Sequence, residues 1–455
     1  MCSSGQLYSI QAQVEHVAIR VFSQLNGLGC AAERCPNHRG IPGTPDRSIR
    51  MSDDQAKRYG NILFVFCGGG CKAVFQAVTA RELVHAGFRP THIVSASAGT
   101  CNALGLVENP GIAGAEKTLR IWEDYITSPE AIYEVHPFIR EKIARLLGVF
   151  PQVAQGWGPS GSILHDLKRA IKFLPLVISF CVRMPFRAAG RAVSFVFRLM
   201  DAFASPSKSF RRLVQAPEVQ EAFNEVDKYF ELKKMKSFLD PFPLLARLGE
   251  EFDLQKVLTS PIVWHILAER YEDGTTVVFS NKDPDLAMDG SEDARGRKAK
   301  YDLFFRRIRA SMALYPLFEM VEMDGYRYLD ADLANPLPVE ESFSVGCDTI
   351  FLFLNVPKQT VRIEPHPLRN LLELNDLSRL NERYIHHRVK AAQVKAKELG
   401  VNLFVIRPDD IPSGLGLLEI DRKVIEQVKT RERTRMKDYL ANLEANNLRF
   451  APLIQ

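Results

Sequence analysis

Apolar and polar positions divide the chain into short apolar runs separated by longer stretches with helical spacing. The first apolar run, Asn61–Cys67, is rich in Phe, Val and Ile and stops at three glycines, which predicts a short buried strand. A second run, His92–Val94, and later runs at 348–356 and 402–406 have the same character. Because helical stretches alternate with these runs, the pattern predicts an α/β fold with a mostly parallel sheet.

Two further pairs of apolar runs are each separated by an Asp-Gly dipeptide. The dipeptides are Asp273-Gly274 and Asp324-Gly325, and Asp-Gly favours the two-residue turns of β-hairpins. The predicted hairpin strands are Ile262–Leu267 with Thr276–Ser280, and Glu319–Met323 with Tyr326–Leu329. Helices are predicted at 119–125, 138–147, 376–399 and 420–443.

The candidate chemistry follows the first two predicted strands. The glycines Gly68, Gly69 and Gly70 allow close approach of the backbone to a ligand, and a helix beginning near Cys71 would direct unpaired N–H groups at the same place. After the second strand, small residues surround Ser97, as the sharp turn of a nucleophile elbow requires. The sequence therefore predicts Ser97 as a nucleophile. The predicted oxyanion donors are the N–H groups of Ala98 and of the three glycines.

Four ordered segments carry a family resemblance. They are CGGGCKAVFQ, SASAGTCNAL, RASMALYPLF at 309–318 and GYRYLDADLANPLPV at 325–339. Together they resemble the motifs of the patatin-like phospholipase family, and in particular bacterial patatin-like acyl hydrolases. The resemblance implies a three-layer α/β fold with a mostly parallel central sheet and a helical insertion. It also implies a Ser–Asp dyad of Ser97 and Asp330, in which Asp330 is the base and no histidine takes part.

The function implied by the resemblance is that of a lipid acyl hydrolase of the phospholipase A or lysophospholipase type. Its substrate would be a phospholipid or another acyl lipid, and neither a cofactor nor a metal is required. Lys72, Gly99 and Asn335 would support the site. The sequence makes no prediction of the preferred head group or of the oligomeric state.

The chain departs from the family pattern at four positions where the family usually has glycine. They are Ala73, Ser95, Ala331 and Asp332. Ser95 and Ala331 are small enough to keep the geometry of the elbow and of the Asp330 turn. Asp332 differs, because a second carboxylate beside Asp330 either raises the pKa of one of the two or faces solvent.

Charge is distributed unevenly along the chain. The net charge is +5, but residues 168–212 contain ten basic side chains and one acidic one, a net charge of +9. Arg187, Arg191 and Arg198 recur at helical spacing, with Phe186 and Phe197 on the opposite side. This pattern favours contact with an anionic membrane surface. The alternative is a helix whose phenylalanines pack on the domain. No nucleic-acid-binding motif accompanies the charge, so a nucleic-acid partner is not expected.

The predicted organisation has three parts: an N-terminal extension at 1–59, a patatin-like domain at 60–410 with a helical insertion at about 160–250, and a charged C-terminal helix at 411–455. The extension combines an amphipathic helix near 10–25 with a Gly/Pro-rich linker. The N-terminus lacks the pattern of a secretory signal, and the longest uncharged apolar run, at 173–182, is too short to span a bilayer. We expect a cytoplasmic enzyme with or without peripheral membrane contact.

Three alternatives remain open from the sequence. A Ser–Asp–His esterase could use His366, His386 or His387 as its base. The departures from the family pattern also fit a patatin-like fold that binds lipid without hydrolysing it. Finally, a C-x4-C-x2-H group at 30–38 could hold zinc only with a fourth ligand. The other cysteines have no disulfide-scaffold spacing, which fits a reducing compartment.

Overall fold

The structure is a computed structural model that describes residues 59–136, 236–288, 293–333, 335–357, 375–412, 415, 416, 418 and 420–452. Several predictions lie outside these residues. They are the N-terminal extension, the Cys30, Cys35 and His38 group, the helix at 138–147, the segment with Phe186, Arg187, Arg191, Phe197 and Arg198, and His366.

The centre of the described chain is an eight-stranded sheet in the order β10-β9-β1-β2-β5-β8-β7, with β6 paired to β5. Its strands are β1 (Ile62–Phe66), β2 (His92–Ser95), β5 (Val263–Arg270), β6 (Thr275–Ser280), β7 (Val321–Met323), β8 (Tyr326–Asp330), β9 (Thr349–Phe353) and β10 (Asn402–Ile406). A separate antiparallel ribbon is formed by β3 (Glu134–Val135) and β4 (Leu239–Asp240).

The five strands from β10 to β5 are parallel, whereas β6, β7 and β8 pair antiparallel. In the parallel part, the register aligns Phe66 of β1 with Ser95 of β2 and with Phe353 of β9. The carboxyl ends of β1, β2 and β9 therefore lie side by side at one edge of the sheet. Loops that follow these strands are brought together at this edge.

Helices connect and cover the strands. They are α1 (Val74–His85), α2 (Gly99–Glu108), α3 (Ile112–Arg120), α4 (Pro129–Ile132), α5 (Phe242–Glu251), α6 (Leu254–Thr259), α7 (Ala294–Ser311), α8 (Val339–Ser344), α9 (Asn375–Leu399) and α10 (Arg422–Ala441). Single turns of 3-10 helix occur at Gly70–Ala73, Pro284–Leu286, Ala331–Leu333 and Glu444–Asn446, and a π turn at Ile121–Tyr125. Asp253, Asp293 and Asp421 cap α6, α7 and α10 by accepting backbone N–H bonds.

Apolar side chains alternate between the two faces of the sheet and form two buried clusters. On one face lie Phe64, Phe66, Phe351, Phe353 and Phe404, together with α1 and α2. The other face is covered by α8 and α9 and contains the cluster of Leu63, Val65, Leu352 and Leu403 with Val389 of α9. Helices on both faces of a mostly parallel sheet make the three-layer α/β fold that the sequence predicted.

The predicted elements agree closely with the observed ones. Both Asp-Gly hairpins are present, as β5–β6 and β7–β8, and the turn residues Asp324 and Gly325 both have positive φ. The predicted helix at 119–125 corresponds to the end of α3 followed by the π turn. Among the described residues, the helices are all too short or too polar to cross a bilayer.

Candidate active site

Ser97 lies in a sharp turn between β2 and α2. Its φ is 53°, in the left-handed region that a residue other than glycine adopts only at a cost of about 1–3 kcal/mol. The turn also requires a residue without a side chain at Gly99, because a Cβ there would lie 2.4 Å from the carbonyl oxygen of Phe66. This is the strand-turn-helix geometry of a nucleophile elbow, in which the serine side chain is presented at the edge of the sheet.

Ser311, at the end of α7, holds the elbow in place. The N–H of Ser97 donates to the carbonyl oxygen of Ser311 at 3.1 Å and lies 3.2 Å from its Oγ. The Ser311 hydroxyl is also 3.1 Å from Oγ1 of Thr100, in the first turn of α2. Ser311 is buried, and it was not predicted as a site residue although it lies in the 309–318 motif.

Ser95 replaces the first glycine of the usual elbow pattern without disturbing the turn. Its hydroxyl accepts a hydrogen bond from Nε1 of Trp264 on β5 at 2.8 Å and lies 3.3 Å from Oγ1 of Thr100. The buried hydroxyl is therefore satisfied, as a polar group at this depth must be.

Asp330, the last residue of β8, is delivered to Ser97 by the β7–β8 hairpin. Its backbone N–H donates to the carbonyl oxygen of Ala313 at 3.0 Å, and its side chain is 1% exposed. The Ser97 side chain is a neighbour that lowers the pKa of Asp330, and the two residues line the same cleft. The N–H of Asp332 donates to Oδ1 of Asp330 at 2.9 Å. The predicted nucleophile and the predicted base therefore lie together in the site.

Burial, followed by the neighbouring charge of Asp332, raises the pKa of Asp330 to about 8. The hydrogen bonds from Ser97 and from the Asp332 N–H act in the opposite direction but are weaker. A carboxylate with a raised pKa is a stronger proton acceptor than an ordinary aspartate, provided that the pH is high enough for it to be ionised.

The glycine loop follows β1 and turns sharply, with φ of 140° at Gly69 and 60° at Gly70. Nδ2 of Asn355 donates to the carbonyl oxygen of Gly68 at 2.7 Å, which fixes the first peptide of the loop. In the described part of the chain, the N–H groups of Gly69 and Ala98 donate to no protein acceptor. The carboxylate of Asp332 lies against Gly68, since a Cβ on Gly68 would be 2.6 Å from its Oδ2.

Lys72 and Asn335 both lie near the dyad but have different surroundings. Burial lowers the pKa of Lys72, whereas the negative charge of Asp332 raises it. The side chain of Asn335 lies within hydrogen-bond distance of Glu341 and Arg388, and its backbone N–H donates to Ala331 at 2.7 Å. Asn335 therefore fixes the segment after Asp330 and does not face Ser97 in these contacts.

A cleft opens beside Ser97 and Asp330. Apart from these two residues its lining is almost entirely apolar: Gly70, Cys71, Ala98, Cys101, Trp122, Ile126, Ile132, Leu244, Met312, Leu314, Phe318 and Leu418. The apolar lining suits a hydrocarbon group. The described residues contain no cluster of three or more His, Cys, Asp and Glu side chains arranged to hold a metal ion.

Residues 64–343 match the family model described as patatin-like phospholipase. The match covers more than half of the chain. The protein belongs to the patatin-like phospholipase family. Members of this family are in general lipid acyl hydrolases, and the three-layer fold described above is consistent with membership.

Among the solved structures similar to this patatin-like protein is one from a bacterium. VipD from Legionella pneumophila is 12% identical, with a TM-score of 0.31, over 84% of this chain and 67% of that chain. None of the curated proteins matches the sequence.

The two described histidines that could have served as a base lie elsewhere. His386 and His387 are exposed on α9, which covers the face of the sheet opposite to α1 and α2. Neither side chain lines the cleft beside Ser97.

Proposed function

We propose that the protein hydrolyses the carboxylic esters of phospholipids or related acyl lipids with Ser97 as nucleophile and Asp330 as base. The observation that carries this proposal is that Ser97, in a strained strand-turn-helix elbow, and the buried Asp330 line the same apolar cleft. Family membership supports the lipid substrate class.

In the first step, Asp330 accepts the proton of Ser97 while Oγ attacks the ester carbonyl carbon. The carbonyl oxygen becomes an oxyanion, for which the N–H groups of Gly69, Gly70 and Ala98 are the proposed donors. One such donor contributes about 3 kcal/mol in well-studied hydrolases. The proton then passes from Asp330 to the departing alkoxide, and the acyl group remains on Ser97.

In the second step, Asp330 accepts a proton from a water molecule, which attacks the acyl-enzyme. Collapse of the second tetrahedral intermediate returns the proton to Ser97 and releases the fatty acid. The apolar cleft would hold the acyl chain during both steps. Gly68 stays a predicted oxyanion donor, but the Asp332 carboxylate lies against it, so the proposed step is written with Gly69, Gly70 and Ala98.

The test is fatty-acid release from phosphatidylcholine vesicles, with and without phosphatidylglycerol, followed by mass spectrometry between pH 7 and 9. We expect Ser97→Ala to lower the rate by at least about 10³-fold, and Asp330→Asn to cause a comparable loss. Ser344→Ala is the matched control, since this exposed hydroxyl donates only to the nearby carbonyl of Glu341. Full activity of Ser97→Ala would contradict the proposal. Vesicle binding without any hydrolysis by the wild type would favour the lipid-binding alternative.

A further inference from the structure

Asp332 lies between the base and the glycine loop. It belongs to the 3-10 turn that begins immediately after Asp330, and its backbone N–H donates to Oδ1 of Asp330 at 2.9 Å. Its side chain points to the loop, since a Cβ on Gly68 would lie 2.4 Å from its Cγ. One residue thus contacts both parts of the site.

The first peptide of the glycine loop is held from both sides. The Asp332 carboxyl group packs against Gly68, where a Cβ would lie 2.6 Å from its Oδ2, and the carbonyl oxygen of Gly68 accepts from Nδ2 of Asn355 at 2.7 Å. Upstream, Nε2 of Gln76 donates to the carbonyl oxygen of Cys67 at 2.6 Å. With its first peptide fixed, the loop has a defined orientation for the N–H groups of Gly69 and Gly70.

Among the described residues, the charged and titratable neighbours of Asp332 come from three segments. Lys72 of the loop is its cation, and it lowers the pKa of Asp332, whereas burial raises that pKa. Asp330 precedes it on its own segment, and the charge of Asp332 raises the pKa of Asp330. From the end of β1 comes the Cys67 thiol, whose pKa burial raises and which also has Arg407 as a neighbour.

We propose that Asp332 is a positioning residue, whose carboxylate anchors the glycine loop through Gly68 and Lys72. The same residue lies beside the base, since its N–H donates to Oδ1 of Asp330 at 2.9 Å. The inference rests on the proposed function, because it concerns how Ser97 and the oxyanion donors are arranged. It assigns to Gly68 an anchoring role that is distinct from oxyanion binding.

Two substitutions separate the two effects of Asp332. Asp332→Asn keeps an oxygen that can accept the Gly68 N–H but removes the charge, whereas Asp332→Ala removes both. The matched control is Asp348→Asn at the other end of β1. Asp348 makes the same kind of contact, since its carboxylate accepts the N–H of Asn61 at 2.8 Å and packs on Gly60.

The first measurement is the rate of Ser97 labelling by a fluorophosphonate ester between pH 6 and 10 on the full-length protein. We expect Asp332→Ala to lower the plateau rate by about 10²-fold at every pH, because the loop is no longer anchored. Asp332→Asn should keep a plateau near that of the wild type but shift the midpoint to lower pH by about one unit. Asp348→Asn should change neither quantity.

Different outcomes overturn different claims. Asp332 variants with the wild-type plateau and midpoint would overturn the positioning role while leaving the proposed function intact. The same holds if Asp332→Asn loses as much rate as Asp332→Ala with an unchanged midpoint. A wild-type protein that is folded but not labelled at Ser97 would instead contradict the proposed function, and the charge effect on Asp330 with it.

The anchor can also be tested without any activity. In urea unfolding of Lys72→Met, Asp332→Asn and the double variant, we expect the double variant to shift the midpoint by less than the sum of the two single shifts. The reason is that each single change leaves the other side chain without its partner charge. Purely additive shifts would overturn the proposed electrostatic coupling between Lys72 and Asp332, even if Asp332→Ala fails to fold.

Discussion

Ser97 has a backbone conformation that few residues other than glycine adopt, and its neighbours explain how that conformation persists. Its N–H is fixed by Ser311, Ser311 is close to Thr100, and the buried hydroxyl of Ser95 is satisfied by Trp264. The cost of the turn, about 1–3 kcal/mol, is offset by contacts that reach from β5 and α7. Strain of this kind is typical of residues that have to present a side chain in one fixed direction.

The close approach of α2 to β1 makes Gly99 a sensitive position. We expect Gly99→Ala to lower the free energy of unfolding by at least about 2 kcal/mol, since its Cβ would lie 2.4 Å from the Phe66 carbonyl oxygen. Gly249→Ala is the control on α5, where the nearest atom would be 3.5 Å away, and it should stabilise the helix by about 0.5–1 kcal/mol. Urea denaturation measures both. Equal effects of the two substitutions would contradict the geometry of the elbow.

The raised pKa of Asp330 also predicts how stability depends on pH. Between the ordinary value of 3.8 and about 8, the folded chain keeps a proton that the unfolded chain releases, so stability falls as pH rises through this window. Asp330→Asn cannot release that proton. Its advantage in unfolding free energy over the wild type should therefore grow from pH 5 to pH 8 and reach about 2 kcal/mol or more. Parallel stability curves for the two proteins would contradict the raised pKa.

At the residue scale, the motifs predicted Ser97 and Asp330 as a pair, and both line the same cleft, but the motifs did not predict the side chains around them. Ser311 lies in a motif, yet its hydrogen bonds to the elbow depend on where α7 ends relative to β2. For Asp332 the sequence left two outcomes open. Either its carboxylate raises the pKa of one of the two aspartates, Asp330 or Asp332, or it faces solvent. The direction of its side chain is decided by the distant residues Gly68 and Lys72.

At the scale of elements, apolar runs and Asp-Gly turns were sufficient to predict the sheet. The run at 402–406 is β10 to the residue, and both hairpins form where predicted. The pattern was a poorer guide to the face of the sheet on which a side chain lies. Cys67 packs on the opposite side of the sheet from Cys71 and Cys101. Side chains alternate between the two faces of the sheet along β1, but this alternation stops at the glycine loop. The sequence pattern therefore does not predict on which face the residues after β1 lie.

Leu244 of helix α5 lines the cleft, so the proposed function predicts that this side chain limits the length of the acyl chain. We expect Leu244→Phe to reduce the free length of the cleft. The rate of hydrolysis of C16 esters should then fall about tenfold relative to that of C4 esters, because the longer chain loses hydrophobic burial. The control is Leu245→Phe, on the same helix but not in the cleft lining. Initial rates on p-nitrophenyl esters give the ratio. An unchanged ratio would show that the acyl chain lies elsewhere.

At the scale of the whole molecule, the distribution of charge predicts which segment would contact an anionic membrane. Residues 168–212 contribute a net charge of +9 to a chain whose total is +5, so the remainder is net acidic. This segment lies outside the described residues, and its contact with a membrane remains a prediction from its sequence. Attraction to anionic lipid falls with ionic strength, which makes the prediction testable.

We predict that the triple replacement of Arg187, Arg191 and Arg198 by Glu weakens binding to vesicles that contain 30% phosphatidylglycerol by about 10²-fold or more. The reason is that each basic residue near an anionic membrane contributes about 1 kcal/mol to binding. Hydrolysis of a water-soluble ester should not change. The control changes the same charge at the exposed residues Arg422, Lys423 and Lys437 of α10. Co-sedimentation that weakens equally in both triple variants would indicate an effect of net charge alone.

The central claim is that Asp330 activates Ser97, and covalent labelling tests it most directly. Full-length protein is exposed to a fluorophosphonate ester, and the modified residue is identified by peptide mass mapping in the wild type, Ser97→Ala and Asp330→Asn. We predict a single label on Ser97 that is absent in Ser97→Ala and at least about 10³-fold slower in Asp330→Asn. A folded wild-type protein that takes up no label, or labelling of Ser97 at the same rate in Asp330→Asn, would contradict the claim.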